Sequence, residues 1–131
     1  MLPSLIPEVP VNKPMLGLVL GGVLGALDGL TALISAPEVK PQIMGIIAGS
    51  TGKGLVAGVI IGLIARKVGS RAAMLVAGVV VAALLALPIA LGVDPVTGKR
   101  YFWEIMIPGS IVGLIVGYAT QKFGAPAVQR S

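Results

Sequence analysis

Two charged residues, Asp28 and Lys53, each stand alone inside a run of apolar residues that otherwise reads as bilayer-spanning helix. An ionisable side chain at the centre of a membrane helix costs roughly 2.5 to 3.5 kcal/mol on insertion scales, so neither is retained there without compensation. Residues of this kind mark a functional site by default, and here each is the other's nearest available partner. The class of the chain follows from the same runs. With 56% hydrophobic and 11% charged residues, too few charges remain to cover a soluble surface.

Four windows, residues 14–35, 42–65, 72–93 and 105–122, have the length and apolarity to cross a bilayer. The expected architecture is an all-α membrane protein, a four-transmembrane-helix bundle organised as two tandem helical hairpins. An irregular interfacial segment over residues 1–13, interrupted by Pro3, Pro7 and Pro10, precedes it, and a short tail over residues 125–131 follows. The apolar core of the first window is longer than that of a secretory leader and only Lys13 precedes it, so it is read as a retained helix. Pro88 is expected to kink the third helix near its end.

A formal charge of +5 would suggest nucleic acid in a soluble protein. Here the bases sit at helix ends and report topology instead. Lys13, Arg66, Lys67, Arg71, Lys122 and Arg130 fall at one end of a four-pass chain, with Glu8 as its acid. Lys40, Lys99 and Arg100, balanced by Glu38, Asp94 and Glu104, fall at the other. That asymmetry predicts both termini on the cytoplasmic side. Tyr101, Phe102 and Trp103 enter the fourth helix from the opposite end, as an interfacial aromatic belt does. Glu104 reads as a solvated rim residue, with a guard of the outer mouth as the alternative.

Glycines recur every four residues: Gly17, Gly21 and Gly25 in the first helix, Gly54, Gly58 and Gly62 in the second, Gly109, Gly113 and Gly117 in the fourth. Lipid tails are as apolar as leucine, so helices in a membrane associate by close packing, and small residues at this spacing are the means. Around the first helix, Gly17, Gly21, Gly25, Asp28, Thr31 and Ser35 share roughly 120° of arc. The second helix has two small faces, one through Gly45, Gly49, Ser50 and Lys53, the other through Thr51, Gly54, Gly58 and Gly62. It is therefore expected to be sandwiched. The third helix, with no polar side chain between Ala72 and Val93, is the expected lipid-facing member. So many contact faces favour a homo-oligomer over a tightly packed monomer. The segment Gly54–Gly69 aligns without gaps to Gly109–Gly124, with six of sixteen positions identical, which indicates a duplicated hairpin in parallel orientation. The first and third helices show no comparable match.

The chemistry that remains is narrow. No Cys and no His are present, so a thiolate or imidazole metal site, a disulfide and an axial histidine for haem are excluded, and no cofactor is expected. No nucleophile and base can be assembled either, which argues against an enzyme. The run Gly49-Ser50-Thr51-Gly52-Lys53-Gly54 resembles a phosphate loop. Ile47 stands where such a loop needs glycine, however, and Gly54 follows the lysine where Ser or Thr is required. A continuous helix is the expected reading, with a glycine-loosened break as the alternative. Four glycine-rich helices with one intramembrane carboxylate superficially resemble the proteolipid subunits of rotary ATPases, but the glycine spacing and the nearby lysine differ, and no family is assigned. The expected function is a channel or transporter for a small ion or polar solute, using Asp28, Lys53, Thr31, Ser50 and Thr51 as its polar pathway. The alternative is a structural or assembly subunit in which the charged pair only fixes helix neighbours. The expected partners are the lipid bilayer, a second copy of the chain or another membrane protein, and no nucleic acid.

Overall fold

The structure, a computed structural model, describes residues 12–124. Within them lie four long helices: the first over Lys13–Leu30, prolonged beyond Thr31 by the short turn Ala32–Ser35, the second over Ile43–Ala65, the third over Arg71–Leu91 and the fourth over Phe102–Phe123. All four are long and apolar enough to span a membrane, so the chain is built as a small multi-pass integral membrane protein. The expected irregular segment lies outside the described residues except for its last two. Asn12 caps the first helix, its Oδ1 accepting from the Met15 N–H at 2.8 Å, and Lys13 is already helical. The whole of the expected C-terminal tail, residues 125–131, is likewise outside them.

Several boundaries differ from expectation, two of them for identifiable reasons. The fourth helix begins at Phe102 rather than 105, because the aromatic belt forms its first turn, with Phe102 and Trp103 in edge-to-face contact at 4.8 Å. The third begins at Arg71, where Ser70 Oγ accepts from the Ala73 N–H at 3.2 Å. The second helix runs unbroken from Ile43 to Ala65, so the glycines flanking Lys53 do not interrupt it.

The helices pair as two hairpins, and backbone meets backbone in both. A Cβ placed on Gly17 would fall on the carbonyl of Gly58, one on Gly21 on that of Gly54, and one on Gly62 on that of Lys13. In the second hairpin, Gly78 and Gly113 meet in the same way, and Gly117 meets the Met74 carbonyl. These contacts share one register. Gly17, Gly21, Gly25 and Gly29 of the first helix correspond to Gly78, Ala82, Ala86 and Ala90 of the third, and all eight are buried. The repeated contact register therefore includes the pair of helices whose sequences match poorly: it is small side-chain size, glycine exchanged for alanine, that recurs.

This register corrects the reading of the third helix as the lipid-facing one. Its inner stripe of Met74, Gly78, Ala82, Ala86 and Ala90 is as well packed as that of the first. Alanine is apolar, so a search for polar residues misses a packing face made of it. The largest fully buried side chains, Ile61, Met74, Val116 and Thr120, fill the half of the bundle nearer the Ala65–Arg71 turn. The Thr120 hydroxyl is accommodated there by donating to the Val116 carbonyl at 2.8 Å.

Gly58→Ala should lower stability by about 1–3 kcal/mol, because its methyl group has only the Gly17 backbone to displace. Gly49→Ala, whose Cβ meets nothing within 4 Å, should be neutral or gain up to about 1 kcal/mol from helix propensity. Thermal unfolding of the two variants in the same detergent distinguishes these outcomes.

Candidate functional site

The glycine ladder of the first hairpin decides where the charges go. Gly25 lies against the Ser50 carbonyl and Gly54, and Gly29 lies against Ile47 and the Ser50 side chain, so the two backbones stay close along this stretch. Asp28 and Lys53 project from the faces thus brought together. Lys53 Nζ donates to Asp28 Oδ2 at 3.4 Å, and the two side chains are only 14% and 7% exposed. The other hairpin closes over them. A Cβ on Gly109 would stand 3.5 Å from Lys53 Nζ, 4.0 Å from Asp28 Oδ2 and 3.6 Å from the Ala86 methyl, so all four helices converge on the pair. Gly109, read from the sequence only as a packing position, thus faces the pair, at a distance where even a methyl group would be in ordinary contact with the ammonium group.

In the repeat register, Asp28 corresponds to Ile89 and Lys53 to Pro108. The charges thus belong to one hairpin, and the other offers an apolar residue and a proline at the same level.

From the pair a cavity of about 410 Å³ extends to the level of the loops. Thr31 and Ser50 line it with Asp28 and Lys53, whereas Thr51 is not among its walls. Thr51 is therefore not brought to the chamber, since it follows Ser50 by about 100° around the helix. Gly45 and Gly49 also line the cavity, and a Cβ on either would meet nothing within 4 Å. One small face of the second helix is consequently a cavity wall, which corrects the expectation of a helix gripped on both sides. Further walls come from Pro88, Ile89, Tyr101 and Glu104. Glu104, read as a rim residue, is exposed and also faces the cavity. The sequence offered no signal for Pro88 or Tyr101, because their place here depends on how the second hairpin docks.

Hydrogen bonding at the cavity floor is incomplete. Thr31 Oγ1 is spent on its own helix, donating to the Asp28 carbonyl at 2.5 Å, and Ser35 Oγ likewise donates to the Thr31 carbonyl at 3.2 Å. Ser50 Oγ, by contrast, is buried beside the Asp28 carboxylate and makes no hydrogen bond of good geometry among the described residues. Lys53 has three N–H donors and, among those residues, a single acceptor, Asp28 Oδ2. The floor therefore offers both donors and acceptors to a small polar guest, in surroundings where an unmet polar group is costly.

Two loops tie the hairpins together above the cavity. Glu38 Oε2 accepts from Tyr101 Oη at 2.9 Å and from Lys99 Nζ at 3.4 Å, and Gln42 Nε2 donates to Asp94 at 3.3 Å. Asp94 Oδ1 also accepts the Val96 and Thr97 N–H groups at 2.8 and 3.0 Å, and Gly98, at φ 74°, completes the turn in the left-handed region that glycine favours. The Thr97 N–H, with smaller help from Val96 and Gln42, holds the Asp94 carboxyl below the usual carboxylate range. Comparison with family models, with curated proteins and with solved structures finds no match to this chain.

Two predictions follow from this geometry. Asp28→Asn or Lys53→Met alone leaves one group buried without its counter-charge and should cost about 3–5 kcal/mol, whereas the double variant should return close to the parent. Unfolding in mixed micelles reads all three. A carboxyl held low in the fold adds stability that is complete above its unfolded pKa of about 3.9 and disappears as pH falls through the lower folded value. Amide exchange at Val96 and Thr97 should therefore keep its protection down to about pH 4 and lose it only in stronger acid. In Asp94→Asn, that protection should be weaker already at neutral pH.

Proposed function

We propose that this chain is a small transport protein that takes an ion or a small polar solute into the cavity above Asp28 and Lys53, with both termini on the cytoplasmic side. The observation that carries the reading is the buried charged pair at the floor of a chamber of about 410 Å³, beside a serine hydroxyl that makes no hydrogen bond of good geometry among the described residues. A pair serving packing alone needs no chamber above it. Below the floor, Ile61 and Met74 are fully buried and Val116 is 1% exposed, so passage requires that half to open. The reading is accordingly of a gated pathway or carrier. Because the repeats run parallel, the opening is not an exchange of conformation between inverted halves.

Orientation rests on charge. Among the described residues, Lys13, Arg66, Lys67, Arg71 and Lys122 crowd one end with no acid beside them, which favours that end as cytoplasmic. The ladders that suggested a homo-oligomer are taken up inside the chain, and the proposed site needs no second copy.

Liposome flux of small ions and small neutral solutes tests the proposal. Flux should be present for the parent and lost in a folded Asp28→Asn/Lys53→Met double variant. Unchanged flux in that variant, or none in the parent, would favour the second reading, a structural subunit. The specific support for that reading is that the two charges already lie against each other at 3.4 Å and balance one another without a guest.

A further inference from the structure

At the opposite end from the cavity, Arg71 opens the third helix, and Tyr118, Lys122 and Phe123 occupy the last two turns of the fourth. The Arg71 guanidinium lies 5.4 Å from the centre of the Tyr118 ring and Lys122 Nζ lies 5.5 Å from the same centre. Lys122 Nζ also donates to Tyr118 Oη at 3.0 Å and stands 5.4 Å from the centre of the Phe123 ring. Two cations are thus gathered on one aromatic side chain. Lys122 sits at the hydroxyl end of the ring rather than on its face, and ring attraction for a cation, about 0.5–1 kcal/mol at exposed sites, supplies no counter-charge to either base.

No carboxylate among the described residues is available to supply it. Asp28 is in mid-bundle, and Glu38, Asp94 and Glu104 are at the loop end. Lys13 differs from the other bases of this end, because its Nζ is committed to the Ala65 carbonyl at 3.0 Å. The geometry points to a binding site for the headgroup phosphate of an anionic phospholipid, held by Arg71 and Lys122 beside Tyr118. The occupant follows from position. These residues close helices that span a bilayer, so the clamp stands at headgroup depth, where tyrosine is favoured and lipid phosphates are the anions at hand. The site rests on the membrane-spanning fold alone and is independent of the transport reading.

Binding is measured by titrating phosphatidylglycerol into protein held in phosphatidylcholine nanodiscs and following the unfolding temperature. Arg71→Gln/Lys122→Gln should weaken phosphatidylglycerol binding about thirtyfold, at about 1 kcal/mol for each base. Arg66→Gln/Lys67→Gln removes the same charge from exposed positions outside the clamp and should stay within roughly threefold of the parent. Lys122→Gln alone, expected at about fivefold, serves if the clamp variant unfolds in phosphatidylcholine. Equal loss in both double variants would mean a diffuse basic surface and overturn the site. So would an equal shift produced by glycerol phosphate, which would identify a free anion, or a parent that does not distinguish the two lipids.

Discussion

Direct contact between helix backbones is the constraint on which the rest of this structure depends. Inside a bilayer, burying an apolar side chain against another helix gains little over burying it against lipid, so association must come from tight packing and from polar contacts. Gly17, Gly21, Gly54, Gly58, Gly78 and Gly113 supply the tight packing, each at a place where a Cβ would strike a neighbouring carbonyl. The same approach holds Asp28 and Lys53 within reach of one another, so the site is a consequence of the ladder.

The bundle is divided along its length. Near the Ala65–Arg71 turn, helices with small inner faces are filled by Ile61, Met74 and Val116, and among the described residues the buried side-chain polar atom there without a partner is Gln121 Oε1, an acceptor that meets no donor. Toward the loops, glycines on the second helix face space instead of a neighbour, and the charged pair sits where the two regimes meet. The division gives the chain a chamber with one closed end, the geometric basis for regarding the pair as more than a fastener.

The two hairpins repeat a contact register without repeating its chemistry. The small positions persist as glycine or alanine because separation between backbones tolerates only those, while Asp28 and Lys53 give way to Ile89 and Pro108. Packing and mid-membrane charge have thus separated: the second hairpin keeps the ladder and contributes walls, and the first alone carries charge at the level of the pair.

From sequence alone, the four spans, their hairpin order, the glycine faces and the identity of the two intramembrane charges were legible, because hydropathy and helical periodicity act locally and each leaves its mark within a single segment. The alanine face of the third helix was not, since small apolar residues look alike whether they meet lipid or another backbone. Nor was the separation of Ser50 from Thr51, the position of Gly109 beside Lys53, or the chamber itself. Those depend on how the second hairpin is rotated and docked against the first, a relation between residues far apart in the chain that only the tertiary structure decides.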